Sequence, residues 1–140
     1  MTGTQCSHPS ATLPRPAMDI EVKLEPTALA PREARRFVAR ELAALGYPGL
    51  VENARLVVSE LVSNAIAYAP AQPLWVDLRR AGSHLVLEVW DCSSEPPVTQ
   101  DPDFLAEGGR GLHVVDGLGV KWGYDLLCCG KVIWVLLGDR

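Results

Sequence analysis

The 140-residue sequence lacks any apolar stretch that approaches the roughly 20 residues of a transmembrane helix. Its beginning, Met1 to Asp19, has neither a basic start nor an apolar middle, so it does not resemble a signal peptide. The formal net charge is -4 without a long run of Lys or Arg, which gives little attraction to phosphate backbones or anionic membranes. We therefore expect a cytoplasmic protein that contacts neither nucleic acid nor membrane directly.

Cysteine and histidine are too few and too scattered to predict a disulfide scaffold or a zinc site. No two cysteines have CxxC spacing, the adjacent pair is poorly placed to form a disulfide, and the three histidines show no ligand spacing. The residues concerned are Cys6, Cys92, Cys128, Cys129, His8, His84 and His113. We expect neither kind of framework.

Apolar residues are plentiful enough for one packed domain, since 48% of the sequence is hydrophobic. Residues 1–19 hold several prolines and few large apolar side chains, so they cannot bury enough surface to offset the entropy cost of ordering. We expect residues 1–19 to be a flexible N-terminal tail and residues 20–140 to form a single domain.

Hydrophobic periodicity predicts the order of elements in that domain. Residues 20–24 alternate as an edge strand does, and helices are predicted from Pro31 to Leu45 and from about Gly49 to Ala69. The remaining predicted elements are a hairpin over 74–91, a polar connection or lid over 92–107, a short helix over 112–118 and strands over 120–127 and 131–137. This order predicts an α+β fold, a two-layer α/β sandwich whose mainly antiparallel sheet carries the helices on one face.

The second predicted helix holds a polar pair beside its apolar stripe. Glu60 and Asn64 are one turn apart and therefore share a helical face. Asn64 offers a hard oxygen ligand for Mg²⁺, and Glu60 offers a base for an attacking hydroxyl or water. A solvated helix face or a local side-chain hydrogen bond is the alternative interpretation. The apolar stripe itself is predicted to consist of Leu56, Val57, Leu61, Ala65 and Tyr68.

Two downstream segments add features that suit the same ligand. Gly109 and Gly111 let the backbone approach a phosphate at a helix start, and Arg110 adds a cation able to pair with phosphate oxygens. Asp91, at a strand end, offers an acceptor for an exocyclic amine such as that of adenine. Taken singly, these residues fit ordinary turns, a loop cap and an exposed charge. Together they point to Mg-ATP.

Three ordered segments resemble the GHKL ATPase/kinase superfamily, which includes gyrase, mismatch-repair ATPases, histidine kinases and bacterial anti-sigma-factor serine kinases. Glu60-Leu61-Val62-Ser63-Asn64-Ala65 resembles its N box. Trp90-Asp91-Cys92-Ser93-Ser94-Glu95-Pro96-Pro97 resembles the adenine-binding box of the anti-sigma branch. Gly108-Gly109-Arg110-Gly111-Leu112 resembles the second glycine box. The resemblance covers about Ile20 to Leu137 and implies the Bergerat ATP-binding fold.

The resemblance also implies roles for individual residues, with ATP and Mg²⁺ as cofactors. Asn64 would chelate Mg²⁺, Glu60 would be the general base and Asp91 would read adenine. The implied cofactor-binding residues are Asn64, Asp91, Ser93, Pro97, Gly109, Arg110, Gly111 and Leu112. In the anti-sigma branch the γ-phosphate passes to a serine of an anti-anti-sigma (STAS-type) protein. The kinase otherwise sequesters a sigma factor, and such kinases are typically homodimers.

The sequence departs from the superfamily pattern in the adenine box, where Asp-x-Gly-x-Gly is replaced by Asp91-Cys92-Ser93-Ser94-Glu95. A hydroxyl often found near adenine has no counterpart at Val132 or Ile133. These departures, together with the arginines on the first predicted helix, leave a second interpretation open. In it the chain is a regulatory module that binds nucleotide weakly or not at all and acts by docking to a partner. The third alternative, the ATP-binding half of a histidine kinase, calls for a dimerising helix with a phosphoacceptor His, which we do not expect upstream. The arginines are Arg32, Arg35, Arg36 and Arg40.

Overall fold

A computed structural model describes residues 20–81, 84–93, 121–127 and 129–138. The predicted tail, most of the predicted lid and the short helix predicted over 112–118 lie outside these residues. Within them, the chain forms a sheet with two helices packed on one face, so the predicted α+β sandwich is confirmed. Neither described helix combines the length and the hydrophobicity that crossing a membrane requires.

The two helices lie between the first and second strands in sequence. Helix α1 spans Ala30–Leu45, and Gly46 ends it in a left-handed conformation at φ 91°, where a side chain would be strained. A short 3-10 helix, Pro48–Leu50, leads directly into helix α2, Val51–Tyr68. The helices pack against each other, and Arg35 Nη1 on α1 donates to Ser59 Oγ on α2 at 2.8 Å. Both predicted helices and the glycine cap are confirmed.

Within the described residues, five antiparallel strands form one sheet in the order β1-β2-β3-β5-β4. Their bounds are β1 Ile20–Leu24, β2 Leu74–Ala81, β3 His84–Asp91, β4 Lys121–Leu127 and β5 Gly130–Leu137. Strand β1 is an edge strand, as predicted, and β3 lies at the centre. Because β5 pairs with β3 in antiparallel register, Lys131 lies directly across from Asp91.

Strand alternation gives the sheet two different faces. The helix-facing side joins the apolar residues of α1 and α2 in the main core, which includes Val38, Leu61, Val76, Leu87 and Val135. The opposite side carries a smaller cluster of Trp75, Trp90 and Val132. There Trp134 lies directly over Gly123 on the neighbouring strand, so no larger side chain fits at that position without movement.

The predicted stripe on α2 needs one correction. Val57, Leu61 and Ala65 are buried and Tyr68 is half-buried, but Leu56 is 47% exposed. Residues at positions 54, 58 and 62 take part in the core instead, because α2 packs against α1 as well as the sheet. Its buried surface is therefore wider than one stripe.

Candidate nucleotide-binding site

Helix α2 presents three polar side chains at successive turns, Glu60, Asn64 and Tyr68. Asn64 is only 3% exposed, and its carbonyl oxygen Oδ1 has no hydrogen-bond donor among the described residues. A buried acceptor without a donor is costly, typically by about 1–3 kcal/mol. Glu60 is half-buried, and within the described parts of the chain it forms no hydrogen bond or ion pair. This helical face therefore holds two side chains with unused acceptor capacity.

Asp91 lies at the end of β3 on the helix-facing side and is 1% exposed. Its Oδ1 accepts a hydrogen bond from the Ser93 backbone N–H at 2.8 Å and another from Lys131 Nζ at 3.1 Å. Lys131 Nζ also lies 3.0 Å from Oδ2. The contact with Oδ2 is electrostatic and lacks hydrogen-bond geometry, so that oxygen has no hydrogen-bond donor among the described residues.

Lys131 is as deeply buried as its partner, with 1% of its side chain exposed. Its ammonium lies 5.7 Å from the centre of the Tyr68 ring, within the range of a cation–π contact. Lys131 therefore joins the strand end that bears Asp91 to the helical face that bears Asn64 and Tyr68. Sequence motifs assign no role to Lys131, although alternation along β5 places it on the same face as Ile133.

Burial raises the pKa of Asp91, while the Lys131 ammonium and the Ser93 amide lower it and only partly offset the burial. The carboxyl group thus depends on Lys131 for much of its charge stabilisation. Removing the cation would leave a buried acid with one backbone donor.

The sequence over residues 22–126 matches the family described as histidine kinase-like ATPase domain. The chain belongs to that family. As a histidine kinase-like ATPase domain it has a GHKL-type ATP-binding fold, with the sheet and helices described above. No curated protein matches the sequence at the significance we required.

Three solved structures are similar to this chain. The domain from the Erythrobacter litoralis EL346 blue-light activated histidine kinase is 21% identical with a TM-score of 0.45, covering 76% of this chain and 65% of that chain. The catalytic domain of histidine kinase ThkA is 14% identical with a TM-score of 0.49, covering 86% and 96%. Acinetobacter baumannii histidine kinase AdeS is 14% identical with a TM-score of 0.50, covering 86% and 68%. At these identities the likeness concerns fold alone.

The ATPase fold implies Mg²⁺ with the nucleotide, and the residues present fit that ion. Asn64 Oδ1 is a hard oxygen without a donor, which is the ligand type that Mg²⁺ prefers. The described residues contain no cluster of three or more His, Cys, Asp or Glu side chains able to hold a metal. Mg²⁺ in nucleotide sites commonly uses one or two protein ligands plus phosphates and water, so a single amide oxygen is compatible with it.

Several predicted cofactor-binding residues cannot be placed relative to this geometry. Pro97, Gly109, Arg110, Gly111 and Leu112 lie outside the described residues, and their roles stay predictions. Ser93 is described and buried, and it contributes its backbone N–H to Asp91. The structure thus brings Asp91, Ser93 and Lys131 together, with Tyr68 linking them to α2.

The adenine-box segment also bears on one expectation about the cysteines. Cys92, which follows Asp91 directly, is disulfide-bonded. The expectation concerned a disulfide scaffold, and it did not anticipate a single disulfide at this position. Spacing rules search for pairs close in sequence, whereas a disulfide needs only that two Cα atoms come close in the fold.

Proposed function

We propose that this domain is an ATP-dependent protein serine/threonine kinase of the anti-sigma-factor type. In this proposal it binds a sigma factor, transfers phosphate to a serine of a STAS-type anti-anti-sigma protein, and acts as a homodimer in the cytoplasm. The observation that carries the proposal is buried Asn64, whose Oδ1 has no donor among the described residues, one turn after Glu60, which forms no ion pair with them. A metal ligand and a base on adjacent turns suit phosphoryl transfer, which depends on positioning and charge neutralisation.

The chemistry assigns a separate task to each described residue. The Glu60 carboxylate accepts the proton of the partner's serine hydroxyl as the serine oxygen bonds to the γ-phosphorus and the bond to the β-phosphate oxygen breaks. ADP is the leaving group. Asn64 Oδ1 would hold Mg²⁺, which when bound would neutralise phosphate charge. Asp91 receives the amino group of adenine and so orients the nucleotide along α2.

Phosphate transfer from radiolabelled Mg-ATP to a purified STAS-type protein tests this proposal. We expect phosphoserine on the partner with the unaltered domain, and a loss of about 100-fold or more in transfer rate with Glu60→Ala, since general-base catalysis typically contributes that much. ATP binding, measured by calorimetry, should stay within about threefold, because the base touches the hydroxyl and not the nucleotide.

Glu52→Ala is the matched control, because Glu52 is an exposed glutamate in the first turn of the same helix. That variant should transfer phosphate at the original rate. Undiminished transfer by Glu60→Ala would remove Glu60 from its proposed role. Phosphate appearing on a histidine of the chain itself would argue for a histidine kinase instead.

A docking module that needs little or no nucleotide is the second candidate. It is supported by the ion pair of Asp91 with Lys131, which occupies the proposed adenine acceptor. Exposed Arg32, Arg36 and Arg40 on α1 also suit an acidic partner surface. Calorimetry separates the two functions: binding of Mg-ATP supports the kinase, and no binding of ATP or ADP at millimolar concentration leaves the docking module.

A further inference from the structure

The two oxygens of Asp91 differ in what they offer to a ligand. Oδ1 already receives two donors, the Ser93 amide and the Lys131 ammonium. Oδ2 receives no hydrogen bond from any described residue, but it is buried and lies 3.0 Å from Lys131 Nζ. A donor on a purine ring therefore reaches this carboxylate only after the ammonium has moved away from Oδ2.

The sheet places the backbone of Lys131 directly opposite that of Asp91. The Lys131 Cα is the register partner of the Asp91 Cα in the central β3–β5 pair. Its side chain is 1% exposed, so water does not screen the attraction between the two charges. The ammonium also lies 5.7 Å from the centre of the Tyr68 ring, a cation–π contact toward which it can move.

We propose that Lys131 is a specificity-determining residue that competes with the amino group of adenine for Asp91. This inference rests on the proposed function, in which Asp91 receives that amino group. In the ion pair, the Lys131 ammonium takes the place at Asp91 that the amino group of adenine would occupy. ATP therefore binds only by displacing the ammonium. The unaltered domain therefore binds ATP weakly and gains little from the 6-amino group that distinguishes adenine from guanine.

Calorimetric titration with Mg-ATP and Mg-GTP tests the competition. In Lys131→Thr no ammonium competes with adenine for Asp91. We therefore expect the dissociation constant for ATP to fall about tenfold or more. GTP carries a carbonyl oxygen at the same ring position, which Asp91 does not favour, so its affinity should not improve. The ratio of ATP to GTP affinity should therefore rise by about the same factor.

Lys121→Thr is the matched control. Lys121 is an exposed lysine on β4, so its replacement makes the same change of charge and side chain away from Asp91. This variant should bind both nucleotides as the unaltered domain does. An equal gain of ATP affinity in Lys121→Thr would assign the effect to net charge and overturn the inference.

A measurement on the unaltered chain covers the case in which Lys131→Thr does not fold. The side-chain ¹⁵Nζ resonance of Lys131, assigned by triple-resonance NMR, reports the ion pair directly. We expect it to shift or broaden when Mg-ATP saturates the protein and to stay unchanged with Mg-tripolyphosphate, which has no base. An unchanged resonance in the ATP-saturated protein would overturn the inference.

The outcomes separate this inference from the proposed kinase function. Equal or weaker ATP binding by Lys131→Thr, with clear binding by the unaltered domain, overturns the competition and leaves ATP binding intact. Binding by the variant alone supports the competition most strongly. Absence of ATP binding by both folded proteins at millimolar concentration overturns the competition together with the kinase proposal.

Discussion

Asp91 and Asp77 are both buried carboxylic acids in the same sheet, but they face opposite sides and have opposite kinds of partner. Asp91 lies on the helix-facing side, paired with the Lys131 ammonium at 3.0 Å. Asp77 lies on the other side, across from a second acid, Glu88. Asp77 is 0% exposed and Glu88 is 6% exposed, so neither reaches much solvent.

The two sites offset the free-energy cost of burying a carboxylate in different ways. At Asp91 a cation compensates the negative charge. At Asp77 burial and the neighbouring Glu88 raise the pKa to about 9, against an ordinary value of 3.8, so the group holds a proton at neutral pH. That proton lets Asp77 donate a hydrogen bond to Glu88, where two ionised carboxylates would otherwise repel each other. One site is ionic and the other is protonated.

The largest effect should come from removing one member of the ionic site. Lys131→Met or Asp91→Leu each leaves an uncompensated buried charge, and we expect each to lower the free energy of unfolding by about 3–5 kcal/mol. The double variant Asp91→Leu/Lys131→Met should recover most of this loss, because apolar side chains of similar volume replace both charges. Urea unfolding at pH 7 measures all three.

An exposed ion pair supplies the control for that cycle. Arg40 Nε lies 3.2 Å from Glu41 Oε2, but 68% of the Arg40 side chain is exposed. Arg40→Gln should therefore change stability by less than about 0.5 kcal/mol. Additive losses in the double variant, without recovery, would contradict the view that Asp91 and Lys131 stabilise each other.

The protonated site should respond to pH instead. Because the folded-state pKa of about 9 lies above 3.8, the stability from the Asp77 proton is complete below about pH 3.8 and is lost as pH rises toward 9. In the unaltered domain Trp90 Nε1 donates to Asp77 Oδ2 at 2.7 Å. Asp77→Asn keeps an oxygen that can accept this hydrogen bond, and its amide nitrogen can donate to Glu88 at every pH. We expect the fall in unfolding free energy between pH 5 and pH 9 to shrink by about 2 kcal/mol or more.

Thermal unfolding followed by circular dichroism at pH 5, 7 and 9 measures this difference. The matched control is Asp125→Asn, since Asp125 is an exposed aspartate on β4. It should leave the pH profile as it is in the unaltered domain. An equally steep fall in stability with pH in Asp77→Asn would show that Asp77 is not the group that holds the proton.

The helices and strands were predictable because each depends on local periodicity. Apolar spacing marked α1 and α2, Gly46 marked the end of α1, and alternation marked the strands. Leu56 was placed wrongly because the sequence does not say that α2 packs against both α1 and the sheet. Sequence also singled out Asp91 and Asn64, since each belongs to a short contiguous motif; both are buried, and their roles in a nucleotide site stay predictions.

The partners of the buried acids were not predictable in the same way, because strand register brings them together. Lys131 is far from Asp91 in sequence, and only the β3–β5 pairing places it opposite. The available signal was alternation: Lys131 falls on the same face as Ile133 and Val135, which predicts an inward lysine. Asp77 carried no such signal, because alternation with Val76 and Leu78 is also what a solvent-facing aspartate shows.

The smallest effect should come from Arg79, the cation at the edge of the protonated site. Arg79 Nη2 lies 3.3 Å from Glu88 Oε2, and 34% of its side chain is exposed. Arg79→Gln should cost about 1 kcal/mol or less, with a smaller loss in high salt, because solvent screens the pair. Urea unfolding of Arg79→Gln and of the unaltered domain at low and at high salt measures this loss. A loss well above about 1 kcal/mol that does not change with salt would show that solvent does not screen the pair.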